Sequence, residues 1–213
     1  MNGQIYDTSE LLALAIAVSF AAGLNVYAVI ATLGLLAQAG MVTLPGPIVI
    51  LANWWVIGAS LTLFVLEFVA DKIPFLDLIW NVLQLAVRVP VAALLAFGTT
   101  TNLPPSLQVV AVVGGAVLAL ASASGKIALR SAATTSPEPF SNLLLSLIED
   151  LVAIGLTWFA TSYPWLAASI ALTLFVSVLL VVRLVWRGVR ATSRRASRQG
   201  AGLAPPPHGG ETT

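Results

Sequence analysis

Long apolar runs, separated by short turn-rich pieces, are the dominant pattern of the chain. Six runs stand out, at residues 11–36, 50–70, 83–98, 107–123, 143–160 and 165–186. A helix that spans a bilayer needs about 20 apolar residues, and five of the runs come close to or pass that length. The third is short and is entered through Arg88 and Pro90, so it reads as a tilted or re-entrant element. Leu44-Pro45-Gly46-Pro47, Asn102-Leu103-Pro104-Pro105 and Ser162-Tyr163-Pro164 supply turn chemistry between runs. Alternating ten-residue segments, the mark of a membrane barrel, are absent. The pattern predicts an all-α, polytopic transmembrane bundle of about six spans.

Composition agrees with the pattern. Hydrophobic residues make up 58% of the 213 residues, charged residues 9%, and the mean hydropathy is +0.95. A soluble domain carries about 25% charged residues. So little charge cannot cover a water-facing surface, and lipid must be the solvent for most of the chain. The start does not read as a signal peptide, because Asp7 and Glu10 precede the first apolar run and no Lys or Arg does.

Charge adds an orientation. Six of the ten basic residues fall between Arg183 and Arg198. With six spans and a cytoplasmic C-terminus, Lys72, Arg88, Lys126, Arg130 and the arginines all lie on or near one side. The loops at 37–49, 99–106 and 161–164, which carry no charge, then lie on the other. This scheme places both termini in the cytoplasm of a cell whose plasma membrane holds the protein. A five-span scheme would put one basic group outside. Trp54, Trp55, Tyr163 and Trp165 fit an aromatic belt at the outer interface. Residues 1–186 form the membrane domain. Residues 187–213 read as a basic, then Gly/Pro-rich, disordered cytoplasmic tail. The arginines suit anionic lipid headgroups as partners, and a short basic run beside a span does not suggest nucleic acid.

Enzyme chemistry finds little to work with. There is no cysteine, and the single histidine, His208, lies in the Pro/Gly tail. Thiolate catalysis, disulfides and a Ser/His/Asp set are excluded, and metal chemistry reduces to oxygen ligation of hard cations. Ser124-Gly125-Lys126 lacks the first glycine and the final Ser/Thr of a phosphate loop. The chain is expected not to be an enzyme and to need no cofactor.

The charges that remain are grouped at helical spacing, so each group can share a face. Glu67 and Asp71 are four apart. Asp77, Asn81, Gln84 and Arg88 form one stripe into the third run. Lys126 and Arg130 follow the fourth run, and Asn142, Ser146 and Glu149 open the fifth with Asp150 beside them. Ionisable groups at membrane depth face a bundle interior, a cavity or one another. Glu67, Asp71, Asp77, Asn81, Arg88, Lys126, Arg130, Asn142, Glu149 and Asp150 are therefore the candidate substrate-binding set. Two Pro-containing charged loops, at 71–77 and 135–142, each link two runs, which gives a weak span–loop–span repeat in parallel orientation.

Glu67-Phe68-Val69-Ala70-Asp71-Lys72-Ile73-Pro74-Phe75-Leu76-Asp77, then Ser136-Pro137-Glu138-Pro139-Phe140-Ser141-Asn142, then Glu149-Asp150, resemble the bacterial membrane family catalogued as domain of unknown function 4126. The resemblance runs from about Leu11 to about Leu156. It implies a multi-pass membrane protein and brings no activity. It also implies a histidine three residues before Lys126 in relatives, where this chain has Ala123.

The functional expectation is a small transporter or channel-like protein. Its charged site lies near the cytoplasmic ends of spans two to five. Its substrate is an ion or a small anionic, phosphate-bearing solute. The rival is a non-transporting lipid-headgroup-binding or scaffold protein, with homo-oligomerisation left open. A continuous polar path favours the first, and a pocket open sideways to lipid favours the second.

Overall fold

The computed structural model describes residues 6–70, 74–133 and 139–202, with side chains for 6–70, 83–129, 143–184, 186 and 187. It is an all-helical bundle. Seven α-helices follow one another: α1 (Thr8–Leu24), α2 (Val26–Gln38), α3 (Trp54–Ala70), α4 (Pro74–Thr100), α5 (Pro105–Ala133), α6 (Pro139–Ser162) and α7 (Pro164–Gly202), with a 3₁₀ segment, Gly46–Ala52, before α3. Four of them open on proline. Pro suits that position because the first N–H of a helix has no intrahelical acceptor to lose. The Pro-containing loops flagged in the sequence thus end where α4 and α6 begin.

Helix α1 starts on a reciprocal cap: Asp7 Oδ1 accepts from Glu10 N–H at 2.7 Å, and Glu10 Oε2 accepts from Asp7 N–H at 3.0 Å. It is apolar all round and buried along most of its length, from Leu11 to Leu24. A helix with no polar stripe belongs at a core. It packs against α4, α5, α6 and α7.

The first apolar run is not one span. It breaks at Asn25, whose backbone is extended (φ −149°, ψ 102°). Ser19 Oγ donates to Ala92 C=O at 3.4 Å and Arg88 Nη1 to Gly23 C=O at 3.4 Å, so α1 runs antiparallel to α4. Helix α2 then turns back. Its Gly34 sits against Leu51 and Ile57, and Gln38 Nε2 donates to Ala52 C=O. The 3₁₀ segment they meet packs Gly46 on Thr101 and Ile48 on Gly98, at the end of α4 beside which α1 began. Helices α1 and α2 therefore form a re-entrant hairpin with its apex at Asn25.

Helices α4 to α7 hold stretches long and apolar enough to cross a membrane: Leu83–Thr100, Pro105–Leu129, Leu143–Ser162 and Pro164–Leu184. The pair Gly46–Ala52 and Trp54–Ala70, bent by 70°, supplies a fifth crossing when taken as one span. The count of six is thus corrected to as many as five crossings and a hairpin. The third run is not the re-entrant element. It is the C-terminal part of continuous α4, with Pro90 inside the helix.

This correction resolves the charge argument. Tyr6 Oη donates to Thr161 C=O at 2.7 Å, which fixes the start of α1 at the α6–α7 turn. The arginines lie at the far end of α7. Among the described residues, the start of α1 and the end of α7 lie at opposite ends of the bundle. Because the first run returns instead of crossing, five crossings still bring the end of α5 and the end of α7 to one end of the bundle. For brevity that end is called the arginine end. Trp54, Trp55, Tyr163 and Trp165 are exposed at the other. The domain boundary at 186 falls inside α7, which continues as one helix to Gly202. Helix pairs α3–α4 and α5–α6 run in the same sense, as a parallel repeat would.

Candidate functional site

The hairpin apex is where the buried charges gather. In lipid, a broken helix survives only if its freed backbone groups find partners. Asn25 supplies several of them. Its N–H donates to Ala21 C=O at 3.0 Å, its C=O accepts from Val29 N–H at 3.2 Å, and its Oδ1 caps α2 by accepting from Ala28 N–H at 3.0 Å. Its Nδ2 donates to Asp150 Oδ1 at 2.9 Å. Arg88 takes the Gly23 carbonyl left over at the end of α1.

Four helices bring an ionic chain to this apex. Arg88 on α4 pairs through Nη2 with Glu67 Oε1 on α3. Lys126 on α5 lies 3.4 Å from the same oxygen and 3.3 Å from Glu149 Oε2 on α6. Glu67, Arg88 and Lys126 are each 1% exposed, Glu149 6% and Asp150 5%. That burial decides against idle charges solvated in a headgroup layer. Arg88 lies about 8 Å inside the apolar stretch Leu83–Thr100 and Glu149 about 9 Å inside Leu143–Ser162, at 1.5 Å per residue. A buried charge needs a partner and hydrogen bonds, and each hairpin contributes one acid and one base: Glu67 with Arg88 from α3–α4, Lys126 with Glu149 from α5–α6. Asp150 adds a third acid.

Of the expected site residues, Glu67, Arg88, Lys126, Glu149 and Asp150 converge. Asp71 lies outside the described residues, and so do the side chains of Asp77, Asn81, Arg130 and Asn142. Two polar residues join the site without having been placed in it. Asn25 interrupts an otherwise apolar run one residue after a Gly-Leu pair, and that interruption was the available signal. Gln84 belongs to the Arg88 stripe and is 3% exposed, yet neither of its amide atoms has a hydrogen-bond partner among the described residues. Glu67 Oε2 and Arg88 Nε are likewise unpartnered there. Among the described residues no three His, Asp or Glu side chains converge as metal ligands.

An apolar furrow of about 430 Å³ lies between α6 and α7, lined by Leu151, Val152, Leu156, Phe159, Ile170 and Leu174 among others. It opens sideways and begins one residue past Asp150.

A family model, described as a domain of unknown function (DUF4126), matches residues 12–185. The chain belongs to the DUF4126 family. The match extends through the membrane part of α7, beyond the motifs that first suggested the family. No curated protein and no solved structure matches the chain. Membership assigns no activity; the multi-pass helical character rests on the apolar helices themselves.

Proposed function

We propose that this DUF4126 protein moves an ion or a small polar solute across its membrane, with the apex of the α1–α2 hairpin as the binding site. One observation carries the reading: a helix broken in mid-bundle meets five buried ionisable side chains drawn from four helices. Irregular backbone at membrane depth is tolerated where it is buried in protein or lines a cavity, and half-helix ends at the midplane hold substrates and ions in many transporters. The described cluster holds three acids against two bases, which favours a cation or a neutral solute over a simple anion. No catalysis enters this reading.

The test is flux. Purified protein in proteoliposomes should move at least one member of a panel of ions and small solutes. The Glu149→Ala, Asp150→Ala double variant should insert normally and lose that flux by tenfold or more. Insertion survives because an acid costs only about 2.5–3.5 kcal/mol at a helix centre, and its removal does not oppose membrane entry. Full flux in the double variant would move the site elsewhere.

A second reading rests on the furrow between α6 and α7. A cleft open to lipid beside Asp150 suits a lipid whose headgroup reaches the polar cluster, without transport. Tight binding of a labelled phospholipid, with no flux across the panel, would favour it.

Orientation follows the arginines. Basic residues flank spans on the cytoplasmic side, so we place the arginine end in the cytoplasm, against anionic lipid headgroups. Residue 8 then faces the opposite side. The chain has no cysteine, so Thr8→Cys and Ala201→Cys can be labelled cleanly in spheroplasts with an impermeant maleimide. Thr8→Cys should react from outside and Ala201→Cys only after lysis. The same sidedness at both positions would refute the hairpin topology.

A further inference from the structure

We infer that Tyr27 is a further residue of the site: its ring is the lid over the Glu67–Arg88 pair, and the pair is reached when that ring swings aside. The inference deepens the transport reading and rests on it for its use, since it names the part of the same site that moves when a solute enters.

The first ground is register. Helices α2 and α3 run antiparallel, since Gly34 sits against Ile57 and Gln38 Nε2 donates to Ala52 C=O. Seven residues back from Gly34, on the same face of α2, stands Tyr27. Seven residues on from Ile57 stands Phe64. Each step is about 10 Å at 1.5 Å per residue, so Tyr27 is level with Phe64. Side chains of a helix lean toward its N-terminus, which for α2 is the apex. The Tyr27 ring therefore leans past Phe64 toward the next turn of α3, where Glu67 lies. Electrostatics agree: the charges that act on the Tyr27 hydroxyl are those of Glu67 and Arg88.

The second ground is exposure. Glu67 and Arg88 are each 1% exposed, and Glu67 Oε2 and Arg88 Nε are enclosed with no hydrogen-bond partner among the described residues. The pair is therefore closed off in this structure. Polar atoms left unpaired raise the free energy of that closed form, which favours a form in which they are uncovered. Tyr27 itself is only half-buried, packed against the apolar core on one side and open on the other. Helix α3 lies along α2 but makes few contacts with α4, so on that flank the cover comes from α2. Tyr27 is also free to move. It is the second residue of α2, directly after the extended Asn25. The preceding helical turn that restricts χ1 inside a helix is missing there.

Carboxyl modification tests this on the whole protein in membranes. The probe is dicyclohexylcarbodiimide, and mass spectrometry of the Glu67 and Glu149 peptides is the readout. Tyr27→Ala removes the ring and should speed modification of Glu67 at least tenfold. Tyr27→Phe keeps the ring and should leave the rate within about twofold of the parent. Glu149, on α6 beyond Lys126, is the internal standard, and its rate should not change. An unchanged rate at Glu67 in Tyr27→Ala overturns the proposal. So does an equal rise at Glu149, which would mean that the whole cluster has loosened, and so does a tenfold rise in Tyr27→Phe, which would give the closure to the hydroxyl and not the ring. Should Tyr27→Ala fail to fold, Tyr27→Leu decides. It keeps an apolar side chain on α2 but is too short to cover the pair, so modification of Glu67 should again speed, by threefold or more, and an unchanged rate sinks the idea. Faster modification in the variant with no flux in the parent would keep the lid and remove the transport reading. Flux in the parent with an unchanged rate at Glu67 would do the reverse.

Discussion

Glu67→Ala should cost about 3–5 kcal/mol of stability and abolish flux, the largest effect expected of any single charge in the chain. Glu67 Oε1 is the one atom that both Arg88 and Lys126 address. Its removal leaves a guanidinium 1% exposed beside the Gly23 carbonyl and takes one carboxylate from Lys126, which keeps Glu149. In a protein of this size each kcal/mol moves the thermal midpoint by roughly 2–4 °C, so a fall on the order of 10 °C is expected. The double variant Glu67→Met, Arg88→Met separates stability from function. Replacing both members of a buried pair by apolar groups is often neutral. Lys126 keeps Glu149, so the midpoint should recover most of the loss while flux stays absent. Thermal unfolding in detergent and proteoliposome flux read the two effects independently. A single variant with an unchanged midpoint would mean that Glu67 is not the hub of the cluster.

How far the sequence could reach is clearest in particular residues. Helical class, turn positions and the proline starts of α4 and α6 were legible, because long apolar runs and Pro obey local rules. The pairing of Glu67 with Lys126 was legible too. Both are charges embedded in apolar turns, and such charges must find each other or stay costly. The reversal at Asn25 was not. Val26–Gln38 is as apolar as Thr8–Leu24, and hydropathy counts length without direction. The direction of α2 is set by long-range packing of Gly34 and Gln38 on the 3₁₀ segment, which no local pattern encodes. From that single missed turn came the extra span. Asn25 itself could have raised the question. An amide in mid-run that can cap a helix start is a break signal as well as a hydrogen-bonding group.

The apex also makes a steric prediction, independent of charge. Gly23→Ala should lower the thermal midpoint by roughly 6–12 °C, corresponding to about 3 kcal/mol, the upper end for overpacking. A β-carbon there would overlap Ser122 Oγ and lie 2.7 Å from Ala119 Cα. The hydroxyl could rotate away, but the Ala119 backbone cannot, so α1 would have to lift off α5. That movement would carry the Gly23 carbonyl from Arg88 and shift Asn25 relative to Asp150, so flux should fall with stability. The Gly23→Ala, Ser122→Ala pair should recover only part of the loss, because the backbone contact remains. Gly58 and Gly155 supply the comparison. Both lie inside helices, and nothing stands within 4 Å of the position a β-carbon would take. The same substitution there should be neutral or stabilising by up to about 1 kcal/mol, the usual helix-interior gain of Ala over Gly. Opposite signs for one chemical change would show that the cost at Gly23 comes from the seat of the hairpin on α5 and not from helix propensity. A Gly23→Ala protein as stable as Gly58→Ala would show that the apex does not sit where it has been placed.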